Sequence, residues 1–416
     1  MRHFLCLLFC IGLTLHAAEP VSVLAPEPDW SDLTPFQKTI TRADFLRLLD
    51  TVYAPDGAWK ESIEISSDSA RIHQPGEPGT DFRLEFAPSA AAAKPIPRYW
   101  SAPGEHKTIS GQPLAGYTVA LDPGHLGGRW ARMEERWFKI GHAEPVMEGE
   151  IVWRVAQHLS ERLTALGAKV VMVRQQGTPV TSARPRSLRR LARTELEREG
   201  VSPIRYGYNG PNDPQKANSV VWQSELLFYR VSEIRARAHR VNEVLRPDLT
   251  ICLHCNAEEW GDPARPQLVD KNHLHLLVNG TYHPGELALA DTRHDMLLKL
   301  LNRSARVELP LSGRVAASLA SATGLPPYEY HSGKARVAAG SPYVWMRNLL
   351  ANRLYLCPVV YCEPYVMNSQ AVFDRVQLGD YEGTKLIDGV ERKSLYREYA
   401  DAVADGVSDY FASKSK

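Results

Sequence analysis

The stretch Tyr117-Thr118-Val119-Ala120-Leu121-Asp122-Pro123-Gly124-His125 decides how this chain is read. Residues 117–122 form a short β-prone run, and Pro123-Gly124 closes it. A carboxylate and an imidazole therefore fall at or just past the end of a strand. Downstream, the spacing predicts a helix over 148–166, because Ile151, Val155, Leu159, Leu163 and Leu166 recur on one face. Gly167 ends it, as a left-handed residue past a helix C-terminus should. A strand follows over 168–174. A second helix is predicted over 233–246, with Ile234, Ala238, Val241 and Leu245 on one side and Pro247 past its end. Residues 249–254 and 358–363 read as further strands. Strands alternating with helices predict an α/β fold, a mostly parallel central sheet flanked by helices on both faces.

Outside this frame the chain changes character. Residues 19–114 predict a small α+β extension or domain. Thr41-Arg42-Ala43-Asp44 resembles a capping box before the stripe Phe45, Leu48, Leu49, Val52, and strands are expected over 62–73 and 82–86. The expected division is an accessory unit at 19–87, a linker at 88–114 that contains Ala90 to Pro97, and a main domain at 115–412. Residues 178–232 read as an insertion. Its first part, 187–198, is rich in Arg and Leu and predicts an amphipathic helix; 206–216 is rich in Gly, Asn and Pro and predicts a loop.

The N-terminus reads as a secretory signal over 1–18: Arg2, an apolar run from Phe4 to Leu15, then His16-Ala17-Ala18. That run is too short for a stable membrane anchor. Export to the periplasm or cell envelope is expected. Its removal leaves 48 Lys+Arg, one fewer than the full chain's 49, against 48 Asp+Glu. A chain without net charge offers no broad basic field for nucleic acid. The apolar fraction of 44% and the 416-residue length allow a large core. Four cysteines remain after cleavage, Cys252, Cys255, Cys357 and Cys362, all in strand-like runs where buried, inert thiols are expected. Alternation along a strand would point Cys252 and Cys255 to opposite faces, which argues against a thiolate metal site.

The chemistry is suggested by where polar residues fall. Asp122 and His125 follow the first strand, Arg174 ends the second, His254 ends a third and Glu363 ends a fourth. In open α/β sheets ligands bind at the carboxyl ends of the strands. Two imidazoles, His125 and His254, with one carboxylate would suit zinc, which takes three protein ligands in catalytic sites and leaves a position for water. Glu144, Glu148 and Glu150 compete for the carboxylate, each also explicable as an acid complementing a helix N-terminus.

The run from Val119 to His125 resembles the opening motif of the zinc N-acetylmuramoyl-L-alanine amidases of the Amidase_3 family. The resemblance implies that His125 is a zinc ligand. It also implies that a Glu eight residues before an Ala of the next helix is the second, which selects Glu148 with Ala156. Further likenesses are Arg174, the Arg237 and Asn242 pair, and the run from Asp248 to Ala257, whose His254 would be the third ligand. Pro358 to Asn368 resembles the closing motif, which makes Glu363 the catalytic carboxylate. The implied activity is zinc-dependent hydrolysis of the amide between N-acetylmuramic acid and L-alanine in peptidoglycan. The alternatives are a peptidoglycan-binding module without catalysis and a zinc peptidase acting on stem peptides. The implied partners are peptidoglycan or muropeptides and an activator protein, with the chain a monomer. In some relatives a helix blocks the cleft, a role the 187–198 segment would fit.

Other polar residues are read more plainly. Asp122 is expected to accept a ring N–H from a ligand His or to cap its turn. Arg174 is expected to buttress the sheet edge, with binding of a substrate carboxylate as the alternative. Asn256 and His142 are substrate-contact candidates. His273 and His275 alternate along 272–278 and so share one face, expected to be solvated, with a place in the cleft near His254 as the alternative. His283, His294 and His331 are expected at the surface.

Overall fold

A computed structural model describes residues 21–414 apart from 75–79, 108 and 261–264. The expected signal segment 1–18 lies outside the described residues. Near the N-terminus, Thr41 caps a helix over Arg42–Leu48 by accepting the Asp44 N–H at 3.1 Å. Three short antiparallel strands follow: β1 (Ile63–Ile65), β2 (Ser69–Ile72) and β3 (Phe82–Glu85). The run expected as one strand over 62–73 is thus a hairpin. Ser66 Oγ accepts the Ser69 N–H at 3.1 Å, a local side-chain bond that closes the turn. Phe45, Leu49 and Tyr53 from this region lie in the same continuous apolar core as Val119, Leu253 and Val360.

The main sheet has seven strands. In chain order they are β4 (Thr118–Pro123), β7 (Lys169–Met172), β8 (Leu249–Leu253), β9 (Leu274–Val278), β10 (Arg336–Val337), β11 (Val344–Met346) and β12 (Val359–Pro364). A separate two-stranded ribbon, β5 (Trp137–Phe138) with β6 (Val146–Met147), lies between β4 and β7 in the chain. The spatial order is β10-β11-β9-β12-β8-β4-β7. β7, β4, β8 and β12 run parallel, whereas β9 is antiparallel to β12 and β10 to β11. The carboxyl ends of β4, β8 and β12 therefore share one edge with the beginning of β9.

Helices flank this sheet. The helix Glu148–Ala165 buries Ile151, Val155, Leu159 and Leu163, the predicted stripe, and each such side chain contributes roughly 1.5–3 kcal/mol. Gly167 follows it at φ +96, the expected left-handed stop. The helix expected from 233 begins earlier, at Val220, where Ser219 accepts the Trp222 N–H at 3.2 Å. It runs on to Leu245 through wide π-type turns at Leu227–Ser232 and Arg240–Leu245. No helix of the described residues is long and apolar enough to cross a membrane.

The insertion builds a satellite core. The predicted amphipathic helix, Pro185–Arg198, buries Leu188, Ala192 and Leu196 against Val220, Leu227 and Phe228. Leu126 belongs to the same cluster, with Trp130 and Met133 packed on it, so the insertion braces the loop that follows His125.

Candidate metal centre

The site begins with backbone placement. Past β4 the chain turns through Gly124 to His125, which takes φ +42, an uncommon conformation for a non-glycine residue. Arg174 holds this turn. Its Nε donates to Pro123 O at 3.0 Å and its Nη2 to Gly124 O at 3.1 Å and to His125 O. These bonds tie the end of β7 to the turn after β4. Gly124 is required for a second reason: a Cβ there would stand 2.1 Å from Cε1 of His254. Similarly, a Cβ on Gly149 would stand 2.3 Å from Gly127 N, so the helix start carrying Glu148 presses directly on the loop after His125.

Ligand atoms of His125, Glu148 and His254 all lie within 4.8 Å of one another. His125 Nε2 is 3.5 Å from Glu148 Oε2, and His254 Nδ1 is 3.1 Å from Glu148 Oε1. A tetrahedral ion with bonds of about 2.0–2.2 Å keeps its ligands roughly 3.3 Å apart. Glu148 is fully buried at the first position of its helix, and its Oε2, ion-paired with Arg136 Nε at 3.0 Å, makes no hydrogen bond among the described residues. The Cys255 N–H fixes the other oxygen at 3.1 Å. A sealed carboxylate with one oxygen toward each of two imidazoles is what a divalent cation would satisfy, and the donor set fits zinc. Of the three competing acids, Glu148 alone enters this cluster; Glu144 is exposed, and Glu150 accepts from Gln176 Nε2.

Electrostatics agree with the geometry. Burial pushes the Glu148 carboxyl up, but His125, His254 and Arg136 outweigh it and hold it at about 2. Burial holds the His125 imidazole below its ordinary value, against the pull of Glu148 and Glu134. His254 stacks on Tyr361, with ring centroids 4.7 Å apart, and its carbonyl accepts from Tyr399 Oη at 3.1 Å.

Glu363, on β12, lines one cavity of about 360 Å³ with His125, Glu148 and His254. Burial, reinforced by the Glu148 charge, raises its carboxyl well above the ordinary range. Asn256 also lines this cavity, its Oδ1 accepting the Ala257 N–H at 2.8 Å. His142 is exposed between β5 and β6 and is not among the lining residues.

Several expectations are corrected here. Asp122 serves neither imidazole: Oδ1 accepts from Arg237 Nη1 at 3.0 Å and Oδ2 from Tyr355 Oη at 2.6 Å. The carboxylate behind a site imidazole is Glu134, which faces His125 Nδ1 at 3.7 Å and accepts the Leu126 N–H at 2.9 Å. Arg136, whose Nε lies 3.0 Å from Glu148 Oε2, was likewise not singled out by the sequence. Both sit in the segment Arg129-Trp130-Ala131-Arg132-Met133-Glu134-Glu135-Arg136-Trp137, whose mixed charges between two site-bearing elements were the available signal. His273 and His275 are buried, not solvated, because β9 is an interior strand with β11 and β12 on either side. His294 is buried against Trp30, although it was expected at the surface. No residue of 178–232 is among those lining the cavity, so the helix Pro185–Arg198 does not plug it. All four described cysteines are free and buried, as expected.

No protein-family model and no curated protein matches the chain. Among solved structures, it is similar to the N-acetylmuramyl-L-alanine amidase Ami1 of Mycobacterium smegmatis at 18% identity and a TM-score of 0.38, covering 72% of this chain and 99% of that one. It is similar to the CwlD amidase of Clostridioides difficile, solved with the GerS lipoprotein, at 13% identity and a TM-score of 0.37, covering 72% and 100%. The amidase AmiC2 of Nostoc punctiforme follows at 13% identity and a TM-score of 0.35, covering 72% and 99%.

Proposed function

We propose that the chain is a zinc-dependent hydrolase of bacterial cell wall, cutting the amide between N-acetylmuramic acid and L-alanine, and that it acts after export to the periplasm or envelope. The carrying observation is the convergence of His125, Glu148 and His254 in one cavity with Glu363, four residues separated along the chain. The motifs that resemble the Amidase_3 family support the choice of bond, because they contain these four residues.

His125, Glu148 and His254 would hold the ion. When bound, zinc would polarise an amide carbonyl and lower the pKa of water toward about 7. The protein's own part falls to Glu363. A buried carboxylate of raised basicity takes a proton from water and, once protonated, gives it to the departing amine nitrogen. Arg136 is held against Glu148, where its charge keeps that carboxylate ionised.

The test is digestion of purified peptidoglycan by the zinc-supplemented protein, with products read by mass spectrometry and zinc content by elemental analysis. Released stems beginning with L-alanine are expected from wild type. Glu363→Gln is expected to retain zinc and to lose activity by about 10²–10⁴-fold. Cleavage inside the stem would select the peptidase reading. Binding to wall without any cleavage would select the binding module.

A further inference from the structure

The cavity has a second wall that the metal site does not use. Arg347, just past β11, lines it with His275, Tyr328 and Tyr330. β9 pairs with β12 so that His275 stands opposite Glu363 and Leu277 opposite Tyr361. Directly paired residues of antiparallel strands share a face, so this wall and Glu363 look into the same space.

The guanidinium of Arg347 makes one hydrogen bond among the described residues, from Nη1 to Tyr330 Oη at 3.2 Å. Arg136, the other cation lining the cavity, is already engaged by Glu148. Arginine only donates, so the Tyr330 oxygen must accept that bond. The same hydroxyl is hydrogen-bonded to His275 Nε2, 3.1 Å away. The other ring nitrogen, Nδ1, is buried without a partner. The ring is fixed on both sides. It stacks on Tyr328 at 4.8 Å and meets Tyr330 edge-on at 5.5 Å, while Trp345 Nε1 donates to Tyr328 O at 3.1 Å. His275 thereby holds Tyr330, and through Tyr330 the guanidinium, in one orientation, while its buried Nδ1 carries the desolvation cost of an unpartnered polar atom.

We propose that Arg347 recognises a free carboxylate on the peptide part of the substrate, close to the scissile amide, with Tyr330 and His275 as positioning residues. This rests on the hydrolase reading and adds the chemistry of the preferred substrate: an acidic stem. The guanidinium keeps N–H groups free in a planar fork that matches a carboxylate with two parallel bonds.

The experiment uses two muropeptides that differ at one group, the peptide carboxylate nearest the scissile amide, free in one and a carboxamide in the other. Wild type is expected to favour the free acid in kcat/KM by about 10–100-fold, mainly through KM, the range of a charge-assisted pair. Arg347→Gln should collapse that ratio toward one, Arg347→Lys should restore part of it, and Tyr330→Phe should leave an intermediate ratio. Thermal melts and zinc content establish that each variant is folded and loaded. Equal turnover of both substrates by wild type would overturn the proposal. So would a pH-profile change in Arg347→Gln with the ratio intact, since Arg347 would then act only on Glu363. If wild type cleaves neither muropeptide, the hydrolase reading fails. The proposal is then decided separately by calorimetric binding of L-alanyl-D-glutamate and its carboxamide: an acid preference lost in Arg347→Gln upholds the subsite, and no preference sinks it.

Discussion

Replacing Gly124 with alanine would test the metal centre through a single methyl group. The added Cβ would meet the His254 ring at 2.1, 2.3 and 2.4 Å, where ordinary contact begins at 3.4 Å. The ring must therefore retreat by about 1.3 Å, the difference between the shortest contact and that limit. Retreat is opposed, because Tyr361 stacks on the ring and Glu148 holds Nδ1 at 3.1 Å. Gly124 does not adopt a positive φ, so alanine brings no backbone penalty and the damage is confined to the ligand. Displacements near 1 Å at a reacting centre cost about 100-fold, and disturbed ligand orientation costs about 10–100-fold in metal affinity. Gly124→Ala is expected to weaken zinc binding by that factor in chelator competition, with hydrolysis falling at least as far. Gly207→Ala, with open space around the new methyl, is the control. If Gly124→Ala bound zinc as tightly as wild type, His254 would not be a ligand from the position described.

Other consequences concern stability. Asp122→Ala strips Arg237 of one of its two buried acids, leaving Glu233 at 2.8 Å, and should cost roughly 3 kcal/mol in urea unfolding, with zinc affinity little changed. Arg136→Met removes the cation beside a fully buried Glu148; unfolding without zinc should be easier by about 3–5 kcal/mol, and excess zinc should restore much of that. His275 is held neutral by burial, its pKa depressed to about 3. Between that value and the unfolded value of about 6.5, only the unfolded chain takes the proton, so this stability is present above pH 6.5 and declines as pH falls. One pH unit is about 1.4 kcal/mol. Because the unfolded imidazole is already half protonated at pH 6.5, wild type should lose about 1 kcal/mol more than His275→Gln between pH 6.5 and 5.5 in paired urea titrations, and parallel losses would contradict the assignment.

Much of this arrangement was legible because local chemistry and global fold agree. The stripe from Ile151 to Leu163 buries where its period requires, and the ends of β4, β8 and β12 deliver His125, His254 and Glu363 where strand-end logic puts them. What escaped depended on direction and distance. Nothing in Asn272 to Val278 says that β9 runs against β12, yet that reversal buries His275 and sets it opposite Glu363. Asp122 lies three residues before His125 and looked like its partner, but Arg237 and Tyr355, distant in sequence, claim both oxygens. Glu134 and Arg136 sit in a loop without periodicity, and their roles come from contacts with Leu126 and Glu148. The hairpin at Ser66-Ser67-Asp68-Ser69 was signalled by its own turn residues, and the β-prone flanks masked it.

The reversal of β9 also divides labour within the cavity. One side is made by segments around 122–148 and 254, whose backbones are locked together by glycine contacts and the Arg174 clamp. The opposite side comes from His275 and the stretch from Tyr328 to Leu349, which lies on the far flank of the sheet. On the proposed reading, mutation can therefore remodel the recognition wall while leaving the metal-binding residues alone. Under such a layout a lineage acquires new wall chemistries by drift in one flank, and libraries built to redirect this protein belong at residues 328–349.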